Sequence, residues 1–447
     1  MDLRERIDTS RMSPYQWSII GMCVLLNALD GFDVLAMAFT ANGVTKEFGL
    51  TGSELGVLLS AGLVGMAIGS LCLAPMADII GRRPMILAAV GAAGAGMLLA
   101  ATAADMVQLG IWRLLTGLGV GCILACTNVI ASEYSSKQRR GLSIGIYTAG
   151  YGVGATLGGA AAVYLQSQYG WRSVFVFGGI STLSILVLLL FVLPESVDFL
   201  VTKRPRNVLD RLNRIARKTG HPGLTSLQDV IASPRKKTNP ISDLMSPANR
   251  RSTLLLWLAF FTTMFGFYFV NSWTPRLLVS AGMTESQGIT GGLMLTLGGI
   301  FGAVLYGMVA TRWNSKIVLV VFTVLSAIMM AVFISAASVL MLAFGAGVLV
   351  GVLINGCIAG LYTLAPSLYP ASVRSTGVGW GIGIGIGRIG AIIAPLITGA
   401  LLDASWSAVQ LYLAVGAVVV ISAVAVGMIR SKEPVTKDAS VEELSGV

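Results

Sequence analysis

Asn27-Ala28-Leu29-Asp30-Gly31-Phe32-Asp33 sets two carboxylates in the middle of a run, Trp17 to Phe39, that carries no other charge. A run of that length matches the roughly 20 residues that cross about 30 Å of hydrocarbon. A charge at such depth costs about 2.5–3.5 kcal/mol on insertion scales, so both acids have to face protein or a wet cavity and not acyl chains. Three residues apart, Asp30 and Asp33 lie on one helix face, one turn from each other. They read either as a pair that glues helices together or as a proton or substrate site, and we take the second.

Outward from this stretch the chain repeats the same apolar character. Over 447 residues, 55% hydrophobic and 12% charged with a mean hydropathy of +0.80, one soluble domain is excluded and a polytopic, all-α membrane protein is indicated. Hydrophobic runs bounded by charge, Pro or turn residues predict twelve transmembrane helices, over 17–39, 54–76, 85–104, 107–131, 141–165, 172–193, 251–272, 287–309, 316–336, 339–363, 376–400 and 407–430. A net charge of +10 would suggest nucleic acid in a soluble chain, but here the placement of the charges decides against it. Of the 31 Lys and Arg, 26 fall on the side of the amino terminus, and only Lys46, Arg172 and Arg276 on the other; Arg113 and Arg388 lie inside spans. The positive-inside rule then puts both termini and the long central loop in the cytoplasm, and no cleavable signal pattern precedes the first span. Cys23, Cys72, Cys122, Cys126 and Cys357 all fall in spans and read as small apolar packers, neither a disulfide frame nor a metal set.

The central loop divides six spans from six, giving an amino-terminal six-helix bundle over 1–193, a linker over 194–250 and a carboxy-terminal bundle with a tail over 251–447. In the linker Arg211, Arg214, Arg217 and Lys218 follow helical spacing with Leu209, Leu212 and Ile215 behind them, which predicts an amphipathic helix on the inner leaflet, with His221 solvated beside Pro222. The halves echo each other. Ala74 to Arg83 after span 2 returns, degraded, as Gly307 to Lys316 after span 8, and Tyr134 with Arg139 returns as Tyr369 with Arg374. Offsets of 233 and 235 residues mean a duplicated six-helix unit, a transporter architecture.

These motifs make the chain resemble the major facilitator superfamily over essentially its whole length. Asp78 to Arg83 resembles the superfamily's loop between spans 2 and 3, and Arg113-Leu-Leu-Thr-Gly117-Leu-Gly119-Val-Gly121 its span 4 motif; Gly170-Trp171-Arg172 and Leu193-Pro194-Glu195-Ser196 fit the two ends of span 6. Asp30-Gly31-Phe32-Asp33 is similar to the Asp-Gly-x-Asp motif of the aromatic acid:proton symporter family, with Trp273-Thr274-Pro275 and Gly387-Arg388-Ile389-Gly390 pointing the same way. Ala74 and Ile79 depart from the loop motif, where Gly and a basic residue are usual. Ala155 stands where resembling antiporters carry Pro, which favours uptake over efflux. In the resembling superfamily, ion pairs at the cytoplasmic rim hold the outward-facing state closed, which makes Asp78 with Arg82, and Glu133 with Arg139 or Arg140, gate residues.

The residues themselves suggest a coupling chemistry. A carboxyl group that carries a proton near pH 7, against a free value near 3.9, needs burial or a like-charged neighbour to lift it. Asp30 and Asp33 offer both, with a titration shared by the pair. An organic anion needs a cation at the midplane, and Arg113 and Arg388 are the two basic side chains in spans; either is released toward a substrate carboxylate once a neighbouring Asp is protonated. An aromatic ring needs flat partners. Tyr147 and Tyr151 share a face of span 5, and span 7 carries Phe267, Tyr268, Asn271 and Trp273 to stack on the substrate or read a ring substituent. The glycines of span 11, Gly377 to Gly387, and of span 4, Gly117 to Gly121, fit a bending helix or tight static packing.

The expectation is therefore a monomeric importer in the bacterial inner membrane that couples inward proton flow to uptake of a small aromatic carboxylate such as benzoate, a hydroxybenzoate or gentisate, without a cofactor other than the proton. Proton-driven efflux of drugs or metabolites, and a non-transporting nutrient sensor on a transporter frame, are the alternatives. No nucleophile, base and orienting group assemble in any span, which excludes an enzyme.

Overall fold

The computed structural model describes residues 3–204, 207–223, 245, 249–368 and 386–429. Each apolar run forms a long helix: α1 (Pro14–Phe48), α2 (Gly52–Ile80), α3 (Arg82–Ala101), α4 (Met106–Glu133), α5 (Arg140–Tyr169), α6 (Arg172–Val192), α7 (Arg250–Ser280), α8 (Glu285–Ala310), α9 (Ser315–Ser335), α10 (Leu340–Leu368), α11 (Ile386–Asp403) and α12 (Ala408–Met428). Eleven of them are long and apolar enough to cross a membrane by length and composition; α5, at 30 residues, is long enough but diluted by Gly and Tyr. Residues 369–385, which include Tyr369, Arg374 and the glycine run of span 11 up to Gly385, lie outside the described residues.

Local chemistry sets the helix ends. Capping boxes start α1 (Ser13 with Gln16), α2 (Thr51 with Glu54), α8 (Thr284 with Gln287) and α12 (Ser407 with Gln410), and Gly49 ends α1 in the left-handed conformation at φ 64°. Two helices outrun their expected spans. α1, at 35 residues and therefore about 52 Å, continues past Phe39 to Phe48, with Thr40, Asn42 and Val44 still buried. There Glu47 accepts from the Trp171 indole at 2.6 Å and from Arg172. α7 continues through Pro275 to Ser280. The polar residues at these ends look like loop in the sequence but are helix, and several of them, Asn42 and Thr274 included, are buried against the rest of the protein.

Glycine decides which helices touch. A Cβ on Gly31 would sit 2.1 Å from the Tyr151 carbonyl oxygen and one on Gly154 only 1.9 Å from that of Ala28, so α1 and α5 meet backbone to backbone. Gly65 of α2 meets Leu114 O of α4 and Gly117 meets Gly62 O; Gly298 of α8 meets Val348 O of α10 and Gly351 meets Leu295 O. The second set is the first displaced by 233 or 234 residues, so the duplication read in the loops is also written in the helix contacts. For Gly117, Gly119 and Gly121 the structure answers in favour of tight packing.

The first six helices meet the last six along α1·α7, α2·α11 and α5·α8. At the end opposite the basic loops the seam is closed. Asp403 accepts from the Gly52 and Ser53 amides at 2.6 and 2.8 Å and from the Ser53 hydroxyl, Arg276 donates to Asn42 Oδ1 at 2.9 Å, and Ser60 donates to Ile392 O at 2.8 Å. At the basic end, short helices Leu3–Thr9, Val197–Lys203 and Val208–Lys218 form a cap under the first bundle. Val208, Leu212, Ile215 and Ala216 are buried there with Ile7, Leu200 and Val201. The apolar stripe of the linker helix is thus covered by protein, a correction to the inner-leaflet expectation. His221 is likewise docked and not simply solvated: its Nε2 lies 3.3 Å from Ser10 Oγ, and Arg6 donates to Pro222 O at 3.1 Å.

Candidate functional site

Asp30 and Asp33 are each 4% exposed and Arg113 is 3% exposed, so the charges read in the sequence sit in the protein interior. The two acids have different partners. Arg113, on the neighbouring α4, donates from Nη1 to Asp33 Oδ1 at 2.7 Å and from Nη2 to the Asp33 backbone oxygen at 3.0 Å. Gly62 leaves the room for that guanidinium, since a Cβ there would be 3.1 Å from Nη2, and the Phe175 ring lies 5.8 Å from its centre. This is a desolvated, charge-assisted pair within the first bundle. In this arrangement Arg113 is committed to Asp33 and is not presented to a ligand.

Asp30, one turn away, has no hydrogen-bond partner on Oδ1. Arg388 of α11, from the other half of the chain, lies near enough for its charge to act on Asp30. Arg388 in turn lies 3.5 Å from the Tyr268 hydroxyl, and its charge also acts on the hydroxyls of Tyr151 and Tyr362. The Tyr151 hydroxyl is buried without a hydrogen-bond partner. One carboxyl group, one guanidinium and three phenols from α1, α5, α7, α10 and α11 therefore converge where the halves meet.

The remaining predicted ring partners are buried among the helices. Tyr147 is buried, with its hydroxyl 3.1 Å from Thr127 Oγ1 and its carbonyl accepting from Asn27 at 2.8 Å. Asn271 donates back to the Phe267 carbonyl of its own helix at 2.8 Å. Trp273 is wholly buried in the core with its indole N–H unpartnered. Phe267 stacks edge-on against Tyr268 with centroids 5.2 Å apart.

At the basic end Arg82 holds Asp78 at 3.0 Å and Glu133 at 2.8 Å, while Ser196 donates to the other Glu133 oxygen at 2.6 Å. Glu195 accepts from the amides of Arg82, Arg83 and Ser196. Arg140 pairs with Asp8, and Arg139 is exposed at the start of α5. These bonds tie α2, α3 and α4 to the end of α6, all within the first bundle.

Comparison with known proteins decides the family. The Major Facilitator Superfamily profile matches residues 21–382 and, again, 295–445. The chain belongs to this superfamily. It is similar to the gallate transporter of Pseudomonas putida, 32% identical over 407 residues covering 90% of this chain and 89% of the relative. It is also similar to the 4-hydroxybenzoate transporter PcaK of Pseudomonas aeruginosa, 33% identical over 412 residues and 91% of each chain. In fold it matches the inward-open conformation of the xylose transporter XylE from E. coli with a TM-score of 0.73 at 18% identity, covering 96% of this chain and 99% of that one. As a superfamily member the protein is a multi-pass membrane transport protein and not an enzyme.

Within that superfamily fold, the sequence reading missed Tyr362, which sits in an apolar helix with no charged residue to flag it, and Ser196, quoted only as the end of span 6. It also missed Asp403, whose partners lie about 350 residues away and leave no local signal. Gly31 was inside the quoted motif, but its purpose shows only when α5 is laid against it.

Proposed function

We propose that this protein imports small aromatic carboxylates, such as hydroxybenzoates, across the bacterial cytoplasmic membrane with inward-moving protons, as a monomer with both termini in the cytoplasm. One observation carries the reading. Of two buried acids, Asp33 is neutralised by Arg113, whereas Asp30 faces a cation supplied by the opposite half of the chain. An ionised Asp30 competes with a substrate carboxylate for Arg388, and a protonated Asp30 yields it. Proton and anion binding thereby favour each other, which is the coupling a symporter requires. Tyr151, Tyr268 and Tyr362 supply flat faces for the ring and hydroxyls for its substituents. Rocking of one half against the other about this point would carry the loaded site from face to face. The names of the relatives support the substrate class, and Ala155 in place of Pro supports the inward direction.

The test is flux into proteoliposomes of purified protein with labelled 4-hydroxybenzoate as the probe. An inward-directed proton gradient should drive accumulation. Asp30→Asn should abolish that accumulation while retaining exchange of labelled for unlabelled acid. Gradient-driven loss of the acid from preloaded vesicles would replace import by efflux, and no flux of any aromatic acid would sink the transport reading.

A further inference from the structure

At the closed end of the seam, Arg276 of α7 donates from Nη1 to Asn42 Oδ1 of α1 at 2.9 Å. The two residues hold equivalent places in the repeat. Gly154 meets the carbonyl oxygen of Ala28 in the first half and Gly390 that of Phe261 in the second, which displaces α1 onto α7 by 233 residues; Asn42 and Arg276 stand 234 apart. Parallel halves of this kind are related by a two-fold axis along the membrane normal, with the transported molecule bound where they meet. A bond between equivalent places lies on that axis, so the Arg276 guanidinium sits over the path between the halves. Along α7 it is eight residues, about 12 Å, beyond Tyr268. Its partner is a weak one. A half-buried guanidinium with several N–H donors is held there by a neutral amide oxygen. The carboxylates at this end are engaged elsewhere, Glu47 by Arg172, Glu54 in the capping box of α2 and Asp403 by Gly52 and Ser53, and among the described residues none pairs with Arg276. The other side of the same amide, Asn42 Nδ2, is buried with no hydrogen-bond partner.

We propose that Arg276 is a capture residue for the carboxylate of the incoming acid at the mouth of the path, and that Asn42 takes the place of that carboxylate while this end is closed. The inference rests on the import reading, which turns the closed end outward. An amide oxygen gives the guanidinium an uncharged acceptor, whereas a carboxylate takes two parallel, charge-assisted hydrogen bonds. When the halves part at this end, α1 carries Asn42 away from α7 and leaves the guanidinium facing the opening. An aromatic carboxylate arriving there replaces the amide by a stronger partner. Anion binding from that side then favours the open state by the same factor by which opening favours anion binding. An acidic residue in place of Asn42 would defeat this, because it would hold the guanidinium and compete with the substrate. Asn closes the seam with a bond weak enough to exchange. Farther in, Arg388 beside Tyr268 is the next cation the anion meets, so the two arginines mark an entry and a central position on one path.

The experiment measures initial uptake of labelled 4-hydroxybenzoate under an inward proton gradient, in right-side-out membrane vesicles holding the full chain. A latch and a capture site differ in the sign of the effect. Losing a latch alone releases the state open to the outside, which lowers the KM for external acid or leaves it as it is. Losing the capture cation raises it. Arg276→Gln should raise that KM about tenfold or more while the maximal rate changes by less than about twofold, as expected for the loss of a charge-assisted pair. Added salt should raise the wild-type KM and leave that of Arg276→Gln nearly flat. Asn42→Asp should raise the KM as well, by engaging the guanidinium, whereas Asn42→Ala removes the latch, keeps the cation and should not. A KM that stays or falls in Arg276→Gln would overturn the capture site and leave a latch between the halves, as would an equal rise in Asn42→Ala. A wild-type KM insensitive to salt would overturn it too, even where Arg276→Gln reaches the membrane poorly. No gradient-driven uptake by the wild type would instead sink the import reading on which the site rests.

Discussion

At the scale of single residues, the two acids three positions apart end in opposite circumstances because their neighbours differ. Asp33 meets a guanidinium from α4 that packs against Gly62, where a Cβ would sit 3.1 Å from Nη2. Removing one member of such a buried pair leaves a bare charge in the interior, which typically costs about 3–5 kcal/mol. Arg113→Met should therefore lower thermal stability in detergent strongly. The double variant Asp33→Asn with Arg113→Met should recover much of the loss, because no charge is left unpaired; equal instability of single and double variants would show that packing and not charge is what Arg113 provides. Arg388→Lys is a second test at this scale. Lysine keeps the charge but not the planar fork that takes a carboxylate with two hydrogen bonds. Binding of 4-hydroxybenzoate, followed as a rise in melting temperature with ligand concentration, should weaken about tenfold or more; an unchanged shift would remove Arg388 from the anion site.

At the scale of elements, glycine sets the distance between helices. Gly154 and Gly145 lie on the same helix in different surroundings: a Cβ on the first meets the Ala28 carbonyl at 1.9 Å, and a Cβ on the second meets nothing within 4 Å. Gly154→Ala should destabilise by about 1–3 kcal/mol through overpacking. Gly145→Ala should be neutral or stabilise by up to about 1 kcal/mol through helix propensity. Thermal unfolding of the two variants checks the contrast, and equal effects would contradict the α1·α5 contact. The cap of short helices makes a different prediction. Burial and the nearby Arg6 charge both lower the pKa of His221 below its usual value. The folded cap therefore prefers neutral imidazole, so its stability is complete above the unfolded value of about 6.5 and declines as pH falls below it. Proteolysis within residues 207–223 should accelerate on acidification in the wild type and much less in His221→Gln.

At the scale of the whole molecule, the closed end is held by a contact between halves. The Asp403 carboxylate caps the first turn of α2, where unpaired amides and the helix dipole favour negative charge. Opening that end must break these bonds. Asp403→Ala should shift the population toward the state open at that end, read as faster alkylation of a cysteine introduced at Ser60, whose hydroxyl now bonds to Ile392 across the seam. An unchanged rate would mean that the other contacts across the seam, Arg276 with Asn42 among them, hold the closure without Asp403.

Helix number and the interior position of the charged groups were legible in the chain. Hydrocarbon thickness fixes the length of an apolar run, and the cost of burying charge forbids Asp30, Asp33, Arg113 and Arg388 from facing lipid. Pairings were not legible. Whether Arg113 meets Asp33 or a ligand, whether Glu133 meets Arg82 or Arg139, and whether the linker helix lies on lipid or on protein depend on which helices the glycines let touch. Those contacts join residues tens to hundreds of positions apart, and charge complementarity alone is satisfied by several partners. Tertiary packing selects one by distance: it neutralised one acid of the pair and left the other turned toward the opposite half.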